Sequence, residues 1–116
     1  MRKLFIYRVQ NTNGLGPYRR WLMESMEDSL IQELDRHSQY DPIRLPPIFD
    51  TIGRWPMKDE ICGFITLSQA NRWFPSDLRI KLFKYGFRLL RVEVEEVTAV
   101  SDIQCFAIRK VKNETN

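Results

Sequence analysis

The sequence predicts an α+β fold: a mostly antiparallel sheet packed by one long and two short helices, ending in a C-terminal β-hairpin. Three patterns carry that reading. Residues 3–10 (KLFIYRVQ), 87–97 and 103–111 are rich in strand-forming residues, and 87–97 alternates cleanly with a period of two. Leu22, Met26, Leu30 and Leu34 recur every four residues, which draws one apolar stripe along a helix. Between these regions Pro75 and Gly86 bracket a short helical pattern with stop signals on both sides.

Taken in order, the first strand carries Phe5, Tyr7 and Val9 on one face and Leu4, Ile6 and Arg8 on the other. Both faces begin apolar, so an interior strand is expected. Asn11 to Gly16 supplies turn residues, and Pro17 suits the first position of a helix, where a missing N–H costs nothing. The helix that follows runs to about Asp35, with Trp21 and Ile31 beside its apolar stripe and Glu24, Glu27, Asp28 and Glu33 mostly opposite. From Arg36 to Glu60 periodicity is lost; four of the six prolines fall there, together with Ile43, Leu45, Ile48, Phe49, Ile52 and Trp55. So long an irregular stretch is unusual in a compact domain and reads as a contact loop, too apolar for a linker.

Ile61 to Thr66 predicts a short strand, and Thr66 or Ser68 caps a helix carrying Asn71, Trp73 and Phe74. After Pro75, Ser76 caps a second helix from Asp77 to Tyr85, closed by Gly86. Phe87 to Val97 sets Leu90, Val92 and Val94 against Arg91, Glu93 and Glu95, a strand with one wet face. Thr98 to Asp102 turns the chain into the last strand, Ile103 to Val111. The domain is expected to span 1–112, with 113–116 a disordered tail.

Composition removes several function classes. A chain of 116 residues with 43% hydrophobic content supports one core. Its basic start is followed by an apolar run that Arg8 interrupts, too short for a signal peptide or a membrane span, so a soluble cytoplasmic protein is expected. Cys62 and Cys105 lie in apolar runs and read as reduced core thiols. His37 is the only histidine, which leaves no ligand set for zinc and no basis for a Ser-His-Asp device.

The candidate site residues are few. Arg8 is an arginine on an apolar face, which either emerges to water at the strand end or meets an acceptor such as a ligand phosphate. Gly14 and Gly16, in NTNGLGPY, either form a plain turn into the helix or present backbone N–H groups to an anion, with Arg19 and Arg20 as a basic rim. Gln104 shares a face with Phe106 and Ile108 and needs buried partners. Arg44, Arg54 and Trp55 give the long loop the arginine and aromatic content that contact surfaces favour. Arg79, Lys81, Lys84, Arg88 and Arg91, with a pI near 9.0, form either a solvated helix face or a nucleic-acid patch. The net charge of +3 is modest.

The opening YRV with GLGPY, the central CGF and NRWF, and the closing Gly-Phe strand with QCF in its partner resemble small accessory proteins of bacteriophages and prophages. The same skeleton is loosely similar to ADP-ribosyltransferases, which pair a basic residue on the first strand with a hydroxyl at a central strand end and a glutamate near a late strand. Arg8 and Ser68 match the first two positions, and Glu93, Glu95 or Gln104 stands at the third. The phage resemblance implies a protein that binds a host protein or complex and modulates it, as a takeover or anti-defence inhibitor, with no cofactor. The transferase resemblance implies NAD as cofactor, held by Arg8, Gly14 and Gly16, with Arg8, Ser68 and Gln104 catalytic. Nucleic-acid binding is the third reading.

Overall fold

The alternating first segment forms β1 (Leu4–Gln10), where β-branched and aromatic residues pack on both sides of the pleat. The computed structural model describes residues 3–39, 52–54 and 56–110 of the chain. Beyond β1 these contain α1 (Arg20–Met23), α2 (Asp28–Gln39), β2 (Glu60–Gly63), α3 (Leu67–Trp73), α4 (Ser76–Phe83), β3 (Arg88–Val100) and β4 (Cys105–Arg109). The sheet has four strands in the order β1-β3-β4-β2, and every neighbouring pair is antiparallel. The architecture is therefore mixed α and β on a curled antiparallel sheet.

The curl has a specific cause. Tyr7 and Phe64 exchange backbone N–H to O=C bonds of 2.8 Å in both directions, so the free side of β1 meets the chain just beyond β2. β1 was expected in the sheet interior; it stands at the edge of the pairing order, and this bridge protects it. Gly63 permits the approach. A Cβ there would lie 2.6 Å from Ile6 Cδ1 and 2.8 Å from Tyr7 O, closer than real contacts allow. The glycine of CGF is thus a packing requirement.

The strands bury both faces. On the helix side, Val9, Phe64 and Phe87 join Met23, Met26, Leu30, Leu34, Ala70, Trp73, Phe74, Leu78 and Leu82. Inside the curl, Ile6, Val92, Val94, Cys105 and Ala107 form a second cluster, with Ile61 and Val97 against it. Trp73 Nε1 donates to Tyr18 Oη at 2.7 Å, which satisfies two polar atoms inside the first cluster.

Among the described residues four helices stand where three were expected. The long helix divides, because the chain turns between Met23 and Asp28: Ser25 Oγ donates to Leu22 O at 3.1 Å, and Glu27 N–H donates to Tyr85 Oη at 3.1 Å. Met23 then faces the core, whereas Trp21 is 61% exposed. Thr66, not Ser68, caps α3, in a reciprocal capping box with Gln69. Pro75 occupies the cap position of α4, so Ser76 is already helical. Gly86 has φ +90° and stops α4 as expected, its N–H donating to Phe83 O at 3.0 Å.

β3 extends to Val100 because Thr98, a β-branched residue taken for a turn, donates its hydroxyl to Glu60. Register shifts at Val94/Glu96 and Val97/Ala99 let so long a strand bend. β3 and β4 pair through the connection 101–104, where Ser101 Oγ accepts from Ile103 N and Gln104 N and donates to Gln104 O. Among the described residues no helix is long and apolar enough to cross a membrane. The expected tail, 113–116, lies outside the described residues.

Candidate functional site

Alternation puts Arg8 on the face of Ile6, inside the curl near the ends of β1 and β4. Its guanidinium is half-buried; Nη1 donates to Cys62 O at 2.6 Å, Nε to Gln10 Oε1 at 3.2 Å and Nη2 to Gly14 O at 3.4 Å. Arg109, which follows Cys105 and Ala107 on the same face of β4, reaches the same place. It donates to Gly14 O at 3.1 Å and to Gln10 Oε1 at 3.4 Å. Burial, and then the positive charge of Arg109, lower the Arg8 pKa to about 10. Arg8 remains charged at neutral pH.

The loop between β1 and α1 answers one of the sequence alternatives. Asn11 Oδ1 accepts from Asn13 N at 3.0 Å and Leu15 N at 2.9 Å, while Gly14 N donates to Asn11 O at 3.0 Å. These three N–H groups are engaged within the loop, an Asx turn with Gly14 at φ +79°. What the loop offers the arginines is a carbonyl, not a row of amide donors. Gly16 lies against Arg8, since a Cβ there would be 3.5 Å from Arg8 Nη2.

The other sequence candidates are scattered. Ser68 is an exposed residue in the first turn of α3. Gln104 is 3% exposed, and its Nε2 is buried without an acceptor. Arg8, Ser68 and Gln104 share no hydrogen bond among the described residues. Glu93 pairs with Lys110 at 2.8 Å, which draws its carboxyl below the ordinary value. Arg54 grips Glu60 through two bonds of 2.6 and 2.8 Å and lies 5.1 Å from the Phe106 ring centre. Arg54 and then Thr98, together with Met57 N–H, hold the Glu60 carboxyl at about 2. These contacts give Arg54 an intramolecular role in joining residues 52–54 to the sheet. Arg44 and Trp55 lie outside the described residues.

Chemistry at the cysteines is suppressed by burial. Cys62 and Cys105 are both free thiols; desolvation raises both, Cys105 to about 12. Among the described residues no group of His, Cys, Asp and Glu could hold a metal.

A surface that sequence reasoning only half found lies between α4 and the start of β3. It is an open groove of about 490 Å³ lined by Val9, Ser76, Arg79, Ile80, Leu82, Phe83, Phe87, Arg88 and Leu89. Val9, Leu82 and Phe87 belong to the core and make its floor. Ile80 and Phe83 stand on the rim at 73% and 57% exposure. Arg88 stacks on Phe83 with its Cζ 4.8 Å from the ring centre, and Arg79 Nε is buried with no acceptor. The sequence signal was present: Ile80 and Phe83 are apolar but fall off the stripe of Leu78, Leu82 and Tyr85.

The basic residues taken as one patch separate in space. Lys81 pairs with Glu33 at 3.1 Å, Lys84 Nζ lies 5.7 Å from the Tyr85 ring centre, and Arg91 stacks on Phe5 at 4.0 Å across β1. Only Arg79 and Arg88 of that set line the groove. The site is thus apolar with two cations, in contrast to a phosphate-tracking stripe.

Neither curated proteins nor solved structures yielded a match. Residues 1–115 match the family model described as Bacteriophage T4 Y00F protein, and the chain, an α and β phage protein with a curled antiparallel sheet, belongs to that family.

Proposed function

We propose that this phage protein acts by binding a host protein, and that the groove between α4 and β3 is its contact surface. The occupant that suits the groove is a segment combining an apolar side chain with carboxylates. One observation carries the reading: the groove sets a buried, acceptor-less Arg79 Nε beside the exposed side chains of Ile80 and Phe83. An unmatched buried donor is costly, and a partner's carboxylate would relieve it. Exposed aromatic and arginine side chains around a concave floor are the usual anchors of a protein interface.

Protein is favoured over nucleic acid by the same geometry. Lys81 and Arg91 face elsewhere and are already engaged, so the groove lacks the run of free cations that phosphate backbones require. Modulation of the partner, as an inhibitor or takeover factor, follows if the groove covers a surface the host protein needs.

The test starts from capture of host proteins on the immobilised wild-type protein, then measures affinity for the purified partner with wild type, Phe83→Asp and Arg79→Glu. Both residues lie on the groove, and Phe83 is mostly exposed, so Phe83→Asp leaves the core intact. The expected result is a protein partner whose binding both variants weaken by about a hundredfold or more, as truncated anchors do. Equal affinity for wild type and variants, or recovery of nucleic acid in place of protein, would remove the reading.

A further inference from the structure

On the opposite face of β1 from Val9 and the groove, Arg8 and Arg109 converge on a shared set of neutral acceptors. Between them two guanidinium groups present ten N–H donors. Among the described residues their acceptors are Cys62 O, Gly14 O and Gln10 Oε1, of which the last two are shared by both arginines. The Arg8–Cys62 bond of 2.6 Å is short; the others run from 3.1 to 3.4 Å, long for charge-assisted hydrogen bonds. Among the described residues neither arginine has a carboxylate partner. Arg19, which is exposed, adds a third positive charge felt at Arg8.

Two like charges held against one carbonyl are unfavourable unless something between them is negative. A stacked or snorkelling arginine would turn outward to water; here β1 and β4 aim both side chains inward from one face, and Asn11 fixes Gly14 so that its carbonyl lies beneath them. The N–H groups of Asn13, Gly14 and Leu15 are occupied within the loop, so the ligand would be held by the arginines themselves. Surplus donors on two forks, plus the charge of Arg19, call for a ligand with several oxygens and more than one negative charge. A phosphoryl group has both.

We infer that Arg8 and Arg109 form a binding site for the phosphoryl group of a small molecule, at the mouth of the curled sheet and independent of the groove. The two forks share the three terminal phosphoryl oxygens. Gly14 and Gly16 keep the loop low enough for the arginines to lie flat; a Cβ at Gly14 would come within 3.2 Å of Arg109 Nη2.

The experiment is a calorimetric titration of the full chain, at constant ionic strength, with pyrophosphate, ADP and succinate as separate probes. Pyrophosphate and ADP are expected to bind and succinate to bind weakly or not at all. Arg109→Gln should weaken pyrophosphate about tenfold or more, whereas Arg72→Gln, which removes the same charge from an exposed turn of α3, should not change it. Arg109 is the residue to change because Arg8 also ties β1 to β2 through Cys62 O. Arg109→Lys, with the charge but not the fork, should fall between wild type and Arg109→Gln. Tighter binding of ADP than of pyrophosphate assigns the site to nucleotides, and the reverse to inorganic phosphates. Absence of pyrophosphate binding, equal losses in Arg109→Gln and Arg72→Gln, or a preference for succinate would each overturn the inference.

Discussion

Replacing Gly63 by alanine adds one methyl group at the place where the curl closes. Its backbone has no positive φ, so no conformational penalty applies, and the cost is steric. The new Cβ would meet Ile6 Cδ1 at 2.6 Å and Tyr7 O at 2.8 Å. Ile6 is fully buried and Tyr7 O is backbone, so neither can swing aside. Relief requires β1 and the residues after β2 to part. Overpacking of this kind costs about 1–3 kcal/mol. Lengthening the two Tyr7–Phe64 bonds, each 2.8 Å, adds roughly 1 kcal/mol apiece, for a total of about 3–5 kcal/mol. That is a large part of the stability of a domain of this size. Urea unfolding measures the loss, and amide exchange at Tyr7 and Phe64 locates it. Gly86→Ala is the comparison: φ is +90° but nothing lies within 4 Å, so the backbone alone contributes, about 1 kcal/mol. A Gly63→Ala protein within about 0.5 kcal/mol of wild type, a margin typical of neutral surface changes, would refute the closure argument.

Three further outcomes follow from individual contacts. The Glu60 carboxyl is held at about 2 against an ordinary 4.5, so its stabilisation is present above the ordinary value and is lost as pH falls through the lower one. Melting temperatures of wild type and Glu60→Gln should therefore converge between those two pH values; parallel curves would contradict the assignment. Because burial lifts the Cys105 thiol to about 12, folded protein should resist alkylation of Cys105 at mildly alkaline pH until denaturant is added, as peptide mapping would show. Trp73→Phe and Tyr18→Phe each orphan one end of a 2.7 Å hydrogen bond and should cost about 1–3 kcal/mol, while the double variant should cost less than their sum. Strict additivity would mean the bond contributes nothing.

The parts of the fold that were legible in the sequence are those set by local periodicity. The alternation of 87–97 and the stop at Gly86 depend on neighbouring residues alone, and both appear in the structure. The break between α1 and α2 was not legible, because Tyr85 reaches Glu27 N–H across 58 positions of sequence. The same holds for the curl, which rests on a glycine whose purpose is visible only once β1 lies against it. At the candidate sites, Arg8 was found from its place on an apolar face. Arg109 was missed although it alternates with Cys105 and Ala107, since a basic residue near a strand end looks solvated until its neighbour across the sheet is known. The groove combined residues from α4, β3 and β1, and only the two apolar residues off the helix stripe announced it.

The measurement closest to the central claim is site-specific photo-crosslinking in host cells, with the reactive side chain placed at Phe83 in the groove and, separately, at Leu67 on α3. Both positions are exposed, so both report what touches the surface. The account predicts one host protein crosslinked from position 83 and not from 67, with that product lost when Arg79→Glu is added. Identical products from the two positions, or no protein product from position 83, would contradict it.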